Sequence, residues 1–266
     1  MPSYAVEEPS GHRTGIRSQL IYFLCVVLGL SLFLFAGIHA AGLSPSNITA
    51  LYSGVPSNTI QLKESFPRPQ GSPLFTDPLV DNNSGWNLHS VPGTYAVAIA
   101  NGQISLECDN NKLLWELLPG ERVFSNFELS VNATLSKGEA NNGYGIYIRG
   151  SANANSDLAS YYRFELYGDG SYAIFKGYSD QNGVSTSTKI VDYTLNPAIH
   201  KQGKTNHILI VAQGAYISFV VNNRFLVSLS DTSYASGSVA LFVANLPQAA
   251  PGAQAQFSQF NIYAIA

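Results

Sequence analysis

Methionine is all but absent from this chain: Met1 is the only one in 266 residues. Charge is scarce too, with 12% Asp, Glu, Lys and Arg and a net of −3, so a nucleic-acid-binding surface has little electrostatic support. There are two cysteines, Cys25 and Cys108. Cys25 lies in an apolar N-terminal run, which leaves the remainder one thiol and no internal disulfide. A disulfide scaffold is thereby excluded, whereas an oxidising exterior is not. Cys108 falls on the apolar side of the alternation Ile104, Leu106, Cys108 and reads as a buried, inert thiol. No amphipathic helix of convincing length and no internal repeat is evident. What is plentiful is tyrosine, phenylalanine and glycine (15, 14 and 23 residues), a balance that suits a sheet-rich exported domain.

The N-terminal quarter has a different character from the rest. Residues 1–19 are polar, with Arg13 and Arg17 ahead of an almost wholly apolar run from Leu20 to Leu43. As a helix those 24 residues rise about 36 Å, enough to cross a hydrocarbon core of roughly 30 Å. The first basic residue beyond the run is Lys63, so the positive-inside rule puts the N-terminus in the cytoplasm and the rest outside. The expectation is an uncleaved signal anchor in the cell membrane; the alternative is secretion after cleavage near Gly42, although no clean small-x-small site precedes it. Residues 44–73, with prolines at 45, 56, 67, 69 and 73 and no sustained period, read as an extended linker. An ordered domain is expected over 74–266.

Within that domain every signal is β. Thr94 to Ala100 reads as a strand joined by Asn101-Gly102 to a second one at Gln103–Cys108, a strong hairpin cue. Phe124–Leu135 alternates cleanly, Gly143–Arg149 is a further strand, and others follow at 189–193, 206–213, 215–221, 224–230, 238–245 and 255–265. The most informative stretch is Tyr161–Gly177, in which two alternating runs flank Gly168-Asp169-Gly170. Tyr162, Phe164 and Leu166 make its apolar side, and Tyr161, Arg163, Glu165 and Tyr167 its aromatic and charged side. A two-residue turn would pair Tyr167 with Tyr172 and set Tyr172 and Lys176 beside Arg163. A three-residue turn would pair Tyr167 with Ser171 and send both to the other face. A dozen or so short strands imply an all-β fold, a two-sheet sandwich or a barrel, behind one transmembrane helix.

Trp86 after Asp81-Asn82-Asn83-Ser84-Gly85, Phe124-Ser125-Asn126-Phe127-Glu128, Gly145-Ile146-Tyr147-Ile148-Arg149, Tyr161 to Glu165 with Asp169-Gly170, the Val221-Asn222-Asn223 turn and Phe257 to Ile262 carry a resemblance. Together they resemble the concanavalin A-like lectin/glucanase jelly rolls, in particular laminin G-like and bacterial keto-disaccharide-hydrolase-like domains. The resemblance implies two stacked antiparallel sheets, one of them concave, with sugar or protein ligands met on the concave face or its rim. It also implies an arginine on the strand of Gly145–Arg149 and an acidic residue on the next; Arg149 and Glu165 stand there, while Leu166 and Tyr167 replace the polar groups that follow. Laminin-like relatives often hold calcium, for which Asp81 to Gly85 offers oxygen ligands, although turn chemistry accounts for the same residues.

For chemistry the sequence offers less. Glycosidases need two carboxylates about 5–9 Å apart, and the nearest approach to the glucanase pattern, Glu107-Cys108-Asp109-Asn110-Asn111-Lys112, ends in lysine. Metal-ligand spacing and a nucleophile elbow are lacking. Aromatic rings that stack on pyranose faces, beside planar polar groups that bond hydroxyls, point instead to sugar binding at Tyr147, Arg149, Tyr161, Arg163, Glu165, Tyr167 and Tyr178. The expectation is a membrane-anchored, non-catalytic module for a glycan or envelope polysaccharide, without a cofactor. The alternatives are a protein-interaction domain or a glycoside hydrolase-like enzyme using Glu165.

Overall fold

A computed structural model describes residues 69–110, 112–152, 158–179, 184–245 and 252–265. The expected cytoplasmic tail, the apolar run Leu20–Leu43 and most of the expected linker lie outside them. Among the described residues no helix is long and apolar enough to cross a membrane.

Among the described residues, fifteen strands form two antiparallel sheets of a jelly-roll sandwich. In chain order they are β1 Gln70–Asp77, β2 Ser90–Val91, β3 Tyr95–Ala100, β4 Gln103–Cys108, β5 Leu113–Leu117, β6 Phe127–Lys137, β7 Gly143–Ala152, β8 Leu158–Tyr167, β9 Ser171–Ser179, β10 Ser185–Leu195, β11 Asn206–Gln213, β12 Tyr216–Val221, β13 Arg224–Ser230, β14 Ser238–Ala244 and β15 Ala253–Ala264. The larger sheet runs β13-β12-β11-β6-β15-β4-β3-β2, with β1 pairing the far end of β15; the smaller runs β10-β9-β8-β7-β14-β5. Two hairpins close as their sequence demands. Asn101 and Gly102 (φ 55° and 73°) and Asn222 and Asn223 (φ 50° and 61°) supply the paired positive φ of a two-residue turn.

The sandwich core follows the alternation. Phe127, Leu129, Val131, Ala133 and Leu135 of β6 face Ile146, Ile148, Tyr162, Phe164 and Leu166 of the smaller sheet, all of them fully buried. Phe164 stacks on Phe219 across the layers at 4.7 Å. Cys108 lies in this core, its thiol directed at the carbonyls of Asn110 and Lys112. Trp86 is buried as well, and its Nε1 donates to Asp77 at 2.8 Å.

The central hairpin takes the three-residue turn. Leu166 pairs with Tyr172 and Tyr161 with Gly177, which places Tyr167 opposite Ser171. Gly170 adopts φ 91°, and Asp169 accepts from the backbone and hydroxyl of Ser171. Tyr172 is therefore core, and Lys176 reaches Asp231 at the end of β13 instead of joining Arg163.

Candidate functional site

The outer face of the six-stranded sheet is built like a second core. Tyr147, Leu158, Tyr161, Ala240, Phe242 and Ala244 pack there, with Leu113 and Trp115 partly buried against them. Tyr147 meets Tyr161 edge-on at 4.6 Å and Phe242 at 5.0 Å. A face of a sandwich that only met water would not carry so many buried rings.

In the middle of this face sits an ion pair. Arg163 Nη2 lies 3.0 Å from Glu165 Oε2, with the side chains 13% and 1% exposed. The guanidinium is sandwiched in aromatic surface, 4.4 Å from the Phe175 ring centroid and 5.5 Å from that of Phe242, and its Nη1 donates to the Tyr147 hydroxyl at 3.2 Å. The contact to Glu165 is close but poorly directed, so among the described residues Oε2 has no hydrogen-bond partner, nor has Arg163 Nε. Burial raises the carboxyl of Glu165 above its ordinary range; the Arg163 charge and the Tyr167 hydroxyl oppose that rise without cancelling it. Arg163 stays charged: its burial disfavours the cation, and the Glu165 carboxylate more than restores it. Tyr167 is buried against Tyr193 at 5.2 Å, and burial together with the neighbouring carboxylate holds its hydroxyl in the neutral form.

Two glycines make this packing feasible. A Cβ on Gly143 would stand 1.9 Å from Glu165 Oε1, and one on Gly177 would stand 2.3 Å from the Tyr161 ring. Gly177 is the ladder partner of Tyr161, while Gly143 lies diagonal to Glu165, whose own partner is Gly145. Glycine inside a strand marks such a close approach.

Of the residues singled out in the sequence, Tyr147, Tyr161, Arg163, Glu165 and Tyr167 are brought together, as a closely packed cluster rather than an open platform. Arg149 is not with them. It is the extra residue of a bulge in β7, at φ 51°, and its guanidinium is buried on Tyr234 O (2.9 Å) and Ser125 O (3.0 Å). The bulge breaks the alternation that would have set it beside Tyr147. Tyr178 also stands apart, 45% exposed and one residue out of phase with Phe175 and Gly177 of the site face. Phe175, Tyr193, Phe242, Gly143 and Trp115 join the face unannounced; for Phe175 the signal was available in the hairpin register, which sets it opposite Arg163.

The other chemical candidates resolve into structure. Glu107 and Asp109 are tied to Lys137, and Glu107 also to Gln254, on the larger sheet. Asp81 and Asn82 cap their own turn, through the bonds of Asn83 N to Asp81 and Trp86 N to Asn82. Among the described residues no group of three His, Cys, Asp or Glu could hold a metal.

The fold resembles solved carbohydrate-active proteins. The κ-carrageenase of Pseudoalteromonas carrageenovora, in complex with a κ-carrageenan oligotetrasaccharide, superposes with a TM-score of 0.53 at 8% identity, over 72% of this chain and 93% of that one. LamA of Zobellia galactanivorans, in complex with laminaritriose and laminaritetraose, gives 0.50 at 12% identity over 73% and 99%. A carbohydrate-binding module from Bacillus subtilis gives 0.49 at 17% identity over 68% and 96%. At these identities the likeness establishes the fold alone. No curated protein matches the chain.

Family membership is more decisive. Residues 76–259 match the 3-keto-alpha-glucoside-1,2-lyase-like domain, over two thirds of the chain. That match overturns the expectation of a non-catalytic module, which rested on the missing second carboxylate of a glycosidase and on Leu166 and Tyr167 standing where polar groups were expected. A lyase does not need that pair, so its absence does not count against catalysis. With a jelly-roll sandwich matched almost from end to end, the chain belongs to the family of 3-keto-alpha-glucoside-1,2-lyase-like domains.

Proposed function

We propose that this domain is a carbohydrate-active enzyme that eliminates across C1 and C2 of a keto-glucoside on the outer face of its six-stranded sheet. The observation that carries the reading is Glu165, a buried carboxylate with an oxygen lacking a hydrogen-bond partner among the described residues, beside a buried arginine in a domain of this family. Elimination from a 3-keto-α-glucoside needs a base for the C2 proton, which the adjacent carbonyl acidifies. The C2–H electron pair becomes the C1–C2 double bond, the C1–O bond breaks, and the departing oxygen takes up a proton. Glu165 has the properties of the base: desolvation strengthens its basicity, and as the acid so formed it can return the proton to the leaving oxygen. Arg163 supplies a fixed positive charge for the enolate oxygen and is the more exposed of the pair, so substrate meets it first.

The test is turnover of a 3-keto-α-glucoside by the purified protein. Glu165→Gln keeps shape and removes the base, and is expected to lower kcat/KM by roughly a hundred- to ten-thousandfold. Unchanged turnover in a variant with an unchanged melting profile overturns the assignment. The apolar run at Leu20–Leu43 and the arginines before it support a further part of the reading, that the domain works on the outer side of the membrane that anchors it.

A further inference from the structure

Beyond Glu165, the same face continues to the open edge of the sheet. β5 is the terminal strand, paired only with β14 among the described residues. Trp115 on β5 pairs with Phe242 on β14, Phe242 with Gly145 on β7, and Gly145 with Glu165 on β8. The four lie in one row across the sheet, and three strand spacings separate Trp115 from Glu165 by about 14 Å. That is further than one pyranose ring spans.

At the β5 end of the row is a cavity of about 340 Å³ lined by Trp115, Leu117, Asn87, Glu121, Arg122 and Ser238, among others. It is at the small end of ligand-binding clefts, which run from roughly 300 to 1,000 Å³, and suits a single ring. Its wall is organised. Gly120 and Glu121 are both left-handed (φ 82° and 49°), a conformation that costs about 1 kcal/mol or more for glutamate and gathers at functional sites. Arg122 braces the same loop, donating to Pro119 O and Leu74 O (3.2 Å each) with its guanidinium 5.3 Å from the Phe75 centroid. Glu116 is buried beneath it, accepting from Asn87 N at 3.0 Å with His89 Nε2 at 3.4 Å. A partly exposed indole beside a carboxylate, a guanidinium and an amide is the chemistry that holds a neutral sugar: C–H faces against the ring, hydroxyls on the planar polar groups.

We propose that the β5 rim pocket is a separate sugar site, with Trp115 as its platform, holding the distal ring of an extended glycan whose reacting end lies at Glu165. The proposal rests on the catalytic reading for the position of the reacting end, and it makes the substrate an oligosaccharide rather than a simple glucoside.

Tryptophan emission provides a readout independent of turnover. Trp86 is buried and bonded to Asp77, whereas Trp115 is only partly buried and lines the pocket. Titrating the full-length protein with glucose and with α-linked gluco-oligosaccharides of increasing length is expected to change the emission, with tighter binding of the longer chains. Trp115→Phe should abolish the spectral change, and both Trp115→Ala and the exposed Arg122→Ala should weaken binding of the longest chain about tenfold. No emission change with any chain, a change that persists in Trp115→Phe, or equal affinity for all lengths overturns the proposal. If Glu165→Gln retains turnover, the catalytic reading fails, while the titration still judges the pocket. If Glu165→Gln is inactive but the titration shows no length dependence, the pocket alone fails.

Discussion

Gly143 shows how much of the site is set by a residue with no chemistry of its own. Its Cα lies against the Glu165 carboxylate, and a methyl there would overlap Oε1 at 1.9 Å and Cδ at 2.8 Å. Glu165 is too enclosed to swing away, so Gly143→Ala must push the carboxylate off its position or spread β7 from β8. Overpacking of this kind costs about 1–3 kcal/mol. The variant is expected to melt lower than the wild type and to lose most of its turnover, by calorimetry and steady-state assay. The carboxylate also sets a pH dependence. Because burial raises the Glu165 pKa above its ordinary 4.5, the base is lost by protonation before an exposed glutamate would be, so the acid limb of kcat/KM falls at a midpoint above that value. A limb at or below it would mean a different base. Local sequence showed that Glu165 and Arg163 share a face, since strand alternation requires it. It could not show that a glycine one strand away makes room for the carboxylate, or that a bulge turns Arg149 into the interior, because both depend on contacts across the ladder.

The β8–β9 hairpin illustrates the same division among elements. Its strands, its turn and its apolar side follow from alternation and the Gly-Asp-Gly signal, while its register depends on where Tyr172 and Lys176 find partners. Lys176 Nζ donates to Asp231 Oδ2 at 2.7 Å and to Ser233 Oγ at 2.6 Å, and Tyr162 donates to Asp231 Oδ1 at 2.8 Å. The tie fastens the smaller sheet to the loop after β13. Burial alone would raise the Asp231 pKa, but the bonds from Lys176, Ser233 and Tyr162 outweigh it and hold the carboxyl below the usual aspartate range. A depressed pKa means stability that is present above the unfolded value, about 3.9, and lost as pH falls through the folded one. Asp231→Asn is expected to cost about 1–2 kcal/mol at pH 7, in urea unfolding, and progressively less as the medium is acidified below pH ~4. A deficit independent of pH would show that packing, not charge, holds the loop. β5 was missed in the sequence, as were β1 and the two-residue β2. Leu113-Leu114-Trp115-Glu116-Leu117 has too little alternation to read as a strand, and it carries the indole of the rim pocket. The Ser/Thr-rich first half of β10, exposed on both sides, lacks an apolar period for the same reason.

For the molecule as a whole, an all-β sandwich or barrel was legible because most strands have one buried face and because Asn-Gly and Asn-Asn turns punctuate them, and the jelly roll followed from the resemblance. Strand order was not, since β6 lies between β11 and β15 and β14 between β5 and β7 through contacts distant in sequence. The expectation of a non-catalytic module failed because it measured the chain against a two-carboxylate hydrolase, whereas an elimination on a keto-sugar needs one base and a stabilised enolate. What remains to be placed is the domain in its cell, and here the N-terminal quarter makes a sharp demand. A helix over Leu20–Leu43 would be about 36 Å long with no Asp, Glu, Lys or Arg in it, and transferring that much apolar surface out of lipid is prohibitive. With Arg13 and Arg17 on the near side and nothing basic until Lys63, the sandwich should lie outside, tethered by the proline-containing segment of 44–73. The protein is expected to stay in the membrane fraction after an alkaline carbonate wash, to retain its N-terminal residues on sequencing, and to lose the sandwich when intact cells meet an external protease. A mature chain starting near Gly42 and recovered from the medium would instead establish a secreted enzyme, and the catalytic face would then act on glycans at a distance from the cell rather than at its surface.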